Sequence, residues 1–355
     1  MGTPSHQPTA PRGRGSADNP PNRFEHTHRE RDEAMDPAEE SSPRTQFLVD
    51  HSESVLTHNE SPDIPFRFSL NPYRGCEHGC AYCYARPYHE YLGFSAGLDF
   101  ETRILVKENA PELLRHELAS RAWQPQPLAL CGVTDPYQPV ERQLQLTRRC
   151  LAVLAECRNP VSIVTKNRLV ARDIDLLTEL ARHHAAEVNL SITTLDRDLA
   201  RRLEPRTSPP AARLETLAAL ARAGVPAGVL IAPVIPGLTD HEIPALLKAS
   251  ATAGARWAAM AMLRLPLAVG PLFEAWLDRE EPLRKQKILA GIRSVRDGQL
   301  DDSRFGARMT GQGEHARQIA ALFTAARRRA RLDDSSPALS SAAFRRPPGR
   351  QLELL

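Results

Sequence analysis

The stretch Asn71-Pro72-Tyr73-Arg74-Gly75-Cys76-Glu77-His78-Gly79-Cys80-Ala81-Tyr82-Cys83-Tyr84-Ala85-Arg86 carries three cysteines in the spacing C-x3-C-x2-C. Three thiolates on one short loop can hold three corners of a cubane iron–sulfur cluster, whereas an ordinary electron-transfer cluster takes four cysteines. The next cysteine, Cys131, lies far along the chain. A cluster with three protein ligands leaves one iron open to a substrate or cofactor. Cys76, Cys80 and Cys83 are therefore candidate metal ligands of a reaction centre rather than of an electron carrier. A zinc site is the other reading, with His78 or His89 completing a Cys3His tetrahedron. Structural zinc ligands usually come as two separated pairs, and here there is one tight triplet.

Working outward, the chain of 355 residues has 46 Lys and Arg against 43 Asp and Glu, for a net charge of +3. That balance is too small to name a partner. No run of eighteen apolar residues appears, so no membrane span is expected. The N-terminus lacks the apolar core of a secretory signal. Six cysteines in so long a chain do not make a disulfide framework. Their clustering fits metal ligation in a reducing cytoplasm. Residues 1–60 are rich in Pro, Ser, Arg, Glu and His, which predicts a disordered N-terminal extension. Residues 332–355, broken by Pro347, Pro348 and Gly349, predict a second disordered tail. The core domain is expected over 61–331, with a helical extension at its C-terminal end.

Inside that domain, short apolar runs alternate with longer amphipathic ones. The runs Phe66–Leu70, Leu128–Val133, Val161–Thr165, Val188–Thr193, Ala227–Ile231 and Ala258–Leu263 predict strands. Helical patterns fall at Pro111–Ala122, Gln143–Glu156, Asp173–His184, Ala211–Ala223 and His241–Ala253, and again from about Glu314 to Arg331. Strands this short and nearly continuously apolar are expected to be covered on both faces. The alternation predicts an α/β fold with a parallel sheet and outer helices. Pattern alone does not separate a curved partial barrel from a flat doubly wound sheet.

Active sites of βα folds gather at the C-terminal ends of the strands. Thr134, Asp135 and Tyr137 follow the second strand, Lys166 follows the third, and Ser191 and Thr193 close the fourth. Asp135 can accept hydrogen bonds from an ammonium group, or it can serve as a turn residue before Pro136. Lys166 can pair with a carboxylate, or it can be a solvent-facing charge. Glu204 and Arg206 can reach the rim, or form a surface ion pair. The Pro236-Gly237-Leu238-Thr239-Asp240 turn predicts a helix N-cap at Thr239 or Asp240. Cys131, Cys150 and Cys157 read as buried small apolar residues.

The cysteine spacing, with aromatic Tyr82 before the last cysteine, resembles the signature of the radical S-adenosylmethionine superfamily. Together with Thr134-Asp135-Pro136-Tyr137-Gln138-Pro139, Thr165-Lys166 and Ser191-Ile192-Thr193-Thr194, it resembles the spore photoproduct lyase-like subgroup, often described as DNA-repair-photolyase-like. The similarity runs from about Phe66 to Leu263 and continues weakly to about Arg329. It implies a partial (β/α)6 TIM-like barrel of parallel strands with outer helices. The implied cofactors are a [4Fe–4S] cluster and S-adenosylmethionine. The implied reaction is reductive cleavage to a 5′-deoxyadenosyl radical that abstracts hydrogen, with nucleic acid as the leading substrate class. An electron donor such as flavodoxin or ferredoxin is implied as partner. Thr134, Lys166 and Ser191 are the implied cofactor-binding residues, Tyr82 matches the family's pattern beside them, and Tyr84 is the implied catalytic residue that returns hydrogen; Asp135, read from its loop, joins the cofactor-binding candidates. Radical modification of a peptide or small molecule, and a redox-sensing protein without turnover, are the alternatives. One departure matters: Gly132 stands where the lyase has its hydrogen-donating cysteine, and Cys131 is one residue off. Side chains alternate along a strand, so an offset of one turns the thiol to the other face.

Overall fold

Six short apolar segments between Phe68 and Met262 become neighbouring strands of one sheet. The computed structural model describes residues 11–25, 43–130 and 132–348. In chain order the strands are β1 (Gln46–Val49), β2 (Leu56–His58), β3 (Phe68–Leu70), β4 (Tyr73–Arg74), β5 (Arg103–Val106), β6 (Leu128–Leu130), β7 (Val161–Thr165), β8 (Ala186–Ser191), β9 (Ala227–Val234) and β10 (Ala258–Met262). The large sheet runs β10-β9-β8-β7-β6-β3-β2. From β3 to β10 every neighbouring pair is parallel, and only β2 runs antiparallel, beside β3.

This order separates the two architectures that pattern left open. A doubly wound sheet reverses its strand order at a switch point. Here the order increases monotonically from β3 to β10, so the array winds in one direction, as a partial TIM-like barrel does. The helices Ala110–Ala119, Leu146–Cys157, Ile174–Ala181, Pro210–Arg222 and Ile243–Thr252 fill the crossovers. Their apolar stripes, such as Leu151 and Leu154 or Leu246 and Leu247, are buried with Val161, Val188 and Val229 in the main core. Cys150 and Cys157 are buried in that core too, as small apolar residues would be. Cys131 lies outside the described residues.

Two departures concern the chain ends. The polar composition of residues 1–60 predicted disorder, yet the described part of that stretch is tied down. Arg14 Nη1 donates to Glu101 O (2.8 Å), and Gly15 N and Ser16 N donate to the buried Glu101 carboxylate (both 3.0 Å). Asn22 Nδ2 bonds Glu90 O and Phe94 O, while β1 pairs with β5 and β2 with β3. Composition misleads here because the segment is held by charge-assisted hydrogen bonds rather than by apolar burial. At the other end Asp333 pairs with Trp257 along the edge of β10. Phe344 packs against the main core, and Arg345 N donates to Cys157 O (2.7 Å). Residues 1–10, 26–42 and 349–355 lie outside the described residues.

A second small sheet, β1-β5-β4, was not legible in the pattern. It leads the chain into the cysteine loop: β4 ends at Arg74, and Cys76 N donates to Phe100 O (2.9 Å). A second core cluster backs the loop from the opposite side. Cys80, Ala81 and Tyr82 pack there with Leu203, Phe273, Trp276 and Ile292, the last three from the helices Val269–Glu280 and Lys285–Ser294.

Candidate active site

The cysteine loop lies over the C-terminal ends of the parallel strands. Cys76 and Cys80 are buried and Cys83 is half-buried. The loop is braced from several sides. Arg86 donates to Cys80 O through Nε (3.2 Å) and Nη2 (2.9 Å), and pairs with Glu101 at 2.5 Å. Both members of that pair are fully buried. A buried ion pair is tolerated when its remaining acceptors are satisfied, and the amides of Gly15 and Ser16 do this for Glu101. On the other flank, Glu77 N donates to Gln138 Oε1 (2.9 Å), and Val140 N to Glu77 Oε2 (2.8 Å).

Thr134 and Gln138 complete this flank. Thr134 Oγ1 donates to Gly75 O (2.8 Å), and Gln138 Nε2 reaches both Thr134 Oγ1 (3.1 Å) and Gly75 O (3.3 Å). The loop after β6 is thereby fixed to the residue preceding Cys76.

Asp135 is the centre of a second brace. Its Oδ1 accepts from Tyr137 N (2.9 Å) and Thr165 Oγ1 (2.7 Å), and its Oδ2 from Lys166 N (2.8 Å), with His78 Nδ1 at 3.4 Å. Four partners fill a carboxylate's acceptor sites. Burial would raise the Asp135 carboxyl, but His78, Lys166 and Thr165 outweigh it and hold it down at about 2. Recognition of an ammonium group, the role the loop sequence allowed, gains no free acceptor on this carboxylate. Its work here is to lock β7 and the cysteine loop to the loop after β6.

The same contacts engage His78, the candidate fourth ligand of a zinc site, which also neighbours the Cys76 thiol. The His78 ring lies between Asp135 and Asn167, whose Nδ2 is 3.1 Å from Nε2. His89 is packed between Phe94 and Phe100.

Lys166, at the end of β7, points along the rim. Its Nζ donates to Ser191 Oγ (2.9 Å) and Ala232 O (3.4 Å), and lies 5.8 Å from the Tyr82 ring centroid. Ser191 Oγ in turn donates to Ala232 O (2.8 Å). An ammonium has three donors, and two are used, which leaves one for a carboxylate. Lys166 and Ser191 are brought together on this rim.

Tyr82 plays its part through its hydroxyl, which donates to Glu204 and lies 3.3 Å from Thr193 Oγ1. Glu204 also accepts from Thr193 Oγ1 (2.7 Å) and forms a buried ion pair with Arg213. Burial would raise the Glu204 carboxyl, yet Arg213 and then Lys166 hold it at about 2. Glu204 is thus an internal hub and not a surface partner of Arg206. Arg206 pairs with Glu77 instead (3.2 Å). Arg213 was missed in the sequence. The available signal was its register: it sits on the same helical stripe as buried Leu217 and Leu220, where a charge needs a buried partner. Thr239 and Asp240 do not cap the next helix. Thr239 Oγ1 accepts from Ile235 N and Asp240 Oδ1 from Gly237 N, so both brace the turn itself.

Tyr84 is on the open side. Its ring is exposed, its hydroxyl donates to Gly132 O (2.6 Å), and the Arg264 guanidinium lies 5.5 Å from its ring centroid. Gly132 has φ of +127°, a conformation that L side chains rarely adopt.

Residues 70–249, just over half of the chain, match the Radical SAM superfamily, and the chain belongs to that superfamily. That superfamily implies a [4Fe–4S] cluster and S-adenosylmethionine as cofactors. An uncharacterized protein of Mycobacterium tuberculosis is 41% identical over 221 residues, which make up 62% of this chain and 65% of the relative. The chain thus spans just under two thirds of that relative's length. In fold it is similar to a point mutant of spore photoproduct lyase, with a TM-score of 0.56 at 16% identity over 79% of this chain and 78% of the other. Spore photoproduct lyase complexed with dinucleoside spore photoproduct gives a TM-score of 0.50 at 17% identity, over 66% of this chain and 67% of the other.

The residues present fit these cofactors. Three thiols on one loop, Cys76, Cys80 and Cys83, match the donor set of a cluster that keeps one iron open. Burial, and then the Cys76 thiol, push the Cys83 thiol up to about 11, so a bound metal centre is what would draw out the thiolates.

Proposed function

We propose that this enzyme abstracts hydrogen from a nucleic-acid substrate, a modified or damaged base, and that Tyr84 takes part in returning it. Cys76, Cys80 and Cys83 would hold the cluster. Lys166 and Ser191 would hold the carboxylate of S-adenosylmethionine, Tyr82 would floor that pocket, and Thr134 and Asp135 would keep its walls in register. When bound and reduced by an electron donor, the two cofactors would supply one-electron, hydrogen-abstracting chemistry. The protein's own task is to orient the substrate and exclude side reactions. An electron donor such as flavodoxin or ferredoxin, and a reducing cytoplasm, complete the reading.

The observation that carries it is the placement of Tyr84. It is adjacent to Cys83, exposed, and hydrogen-bonded to Gly132 O at the mouth of β6. A phenol at that point borders both the cluster loop and the open rim. The fold likeness to spore photoproduct lyase adds the substrate class by analogy, and a fold alone does not fix a reaction. The test is isotopic. Oligonucleotides deuterated in their bases are incubated with the reduced enzyme, and the 5′-deoxyadenosine formed is analysed by mass spectrometry. Deuterium in that product supports the reading. Deuterium drawn only from labelled peptides or small molecules contradicts it.

A further inference from the structure

Arg264 is a rim residue that the site described above leaves unused. It follows β10, the last strand of the parallel array, by two residues. Its Nε is buried with no hydrogen-bond partner, and its side chain forms no ion pair among the described residues. Its guanidinium lies over the Tyr84 ring, 5.5 Å from the centroid. Neighbouring arginines differ in having partners for their terminal nitrogens, although the Nε of Arg296 is likewise buried without one. Arg308 bonds Asp63 and Ser61, and Arg296 bonds the carbonyls of Leu263, Ala307 and Arg308. Asp63, which is close enough to feel Arg264, is already engaged by Arg308 and by Gly306 N.

A partly buried guanidinium without an anion is costly, and the planar fork matches a phosphate in two-point contact. We infer that Arg264 is a substrate-binding residue that holds an internucleotide phosphate beside Tyr84. The contact would fix which hydrogen of the adjoining nucleotide faces the reaction centre. This inference rests on the nucleic-acid reading above and deepens it.

The experiment is fluorescence anisotropy of a fluorescein-labelled single-stranded oligothymidylate with the full chain, anaerobically reconstituted. It is run at several salt concentrations, and repeated with a methylphosphonate oligomer that lacks backbone charge. The wild type should prefer the charged oligomer. Arg264→Gln should bind it about tenfold more weakly, with the slope of log affinity against log salt shallower by about 0.7. Arg264→Lys should keep the slope and lose part of the affinity, and it carries the comparison if the Gln variant fails to retain its cluster. Equal affinity and slope for wild type and Arg264→Gln would overturn the role of Arg264 while leaving the substrate class intact. No preference of the wild type for the charged oligomer would overturn both.

Discussion

Lys166 is the residue at which the account is most exposed to a single substitution. Its Nζ has two acceptors, Ser191 Oγ and Ala232 O, and one donor to spare. A hydrogen bond to a charged group contributes about 1.5–3 kcal/mol. Lys166→Ala should therefore weaken S-adenosylmethionine binding by roughly tenfold to a hundredfold, read by calorimetry, while iron and sulfide content stay unchanged. Unaltered affinity would move the carboxylate site elsewhere. Gly132 gives the opposite kind of prediction. Space for a Cβ exists there, since the nearest atoms are 3.7 Å away, but φ of +127° strains any L residue. Gly132→Cys should accordingly destabilise the loop rather than restore a thiol donor. The unmodified enzyme should repair dinucleoside spore photoproduct poorly even when it cleaves S-adenosylmethionine briskly. Clean repair would contradict the inference from Gly132.

At the scale of elements, the cysteine loop depends on segments far from it in sequence. The N-terminal segment is one. A Cβ on Gly15 would lie 1.9 Å from Gly79 O, in the turn between Cys76 and Cys80. Gly15→Ala should lift this segment and expose the Arg86–Glu101 pair. The expected result is faster loss of cluster absorbance in the presence of a chelator; an unchanged rate would show that the segment does not protect the loop. The turn carrying His89 is another. Burial lowers the His89 imidazole to about 4. Its neutral form is favoured on folding, so the associated stability is complete above the unfolded value of about 6.5 and is lost as pH falls from there towards 4. The loss is on the order of 3 kcal/mol. Urea unfolding at pH 7.5 and pH 5 should show a smaller pH difference for His89→Phe than for the wild type; an identical difference would assign the acid sensitivity to other groups. These supports explain what the sequence left unread. The strands were legible because short blocks such as Leu128–Leu130 are continuously apolar. The helices were legible because leucines recur on one face. The small sheet was not, because β1, β4 and β5 are too short and too isolated to show a period. Nor was the N-terminal segment, whose contacts are polar.

For the molecule as a whole, the monotonic strand order places every parallel strand's C-terminal end on one rim. The cysteine triplet, Lys166 and Ser191 were readable because each is tied to a strand end in the chain. Glu204, Arg213 and Arg264 were hard to read because their meaning depends on partners distant in sequence. The central claim is that this rim holds a three-cysteine cluster acting on S-adenosylmethionine. The most direct measurement uses the anaerobically reconstituted protein, reduced with dithionite and given S-adenosylmethionine, with 5′-deoxyadenosine and methionine quantified. The account predicts that both products form, with Ala at Cys76, Cys80 or Cys83 abolishing them and Ala at Cys150 or Cys157 sparing the iron and sulfide content. A protein that takes up one zinc and no sulfide, and leaves S-adenosylmethionine intact, would contradict it.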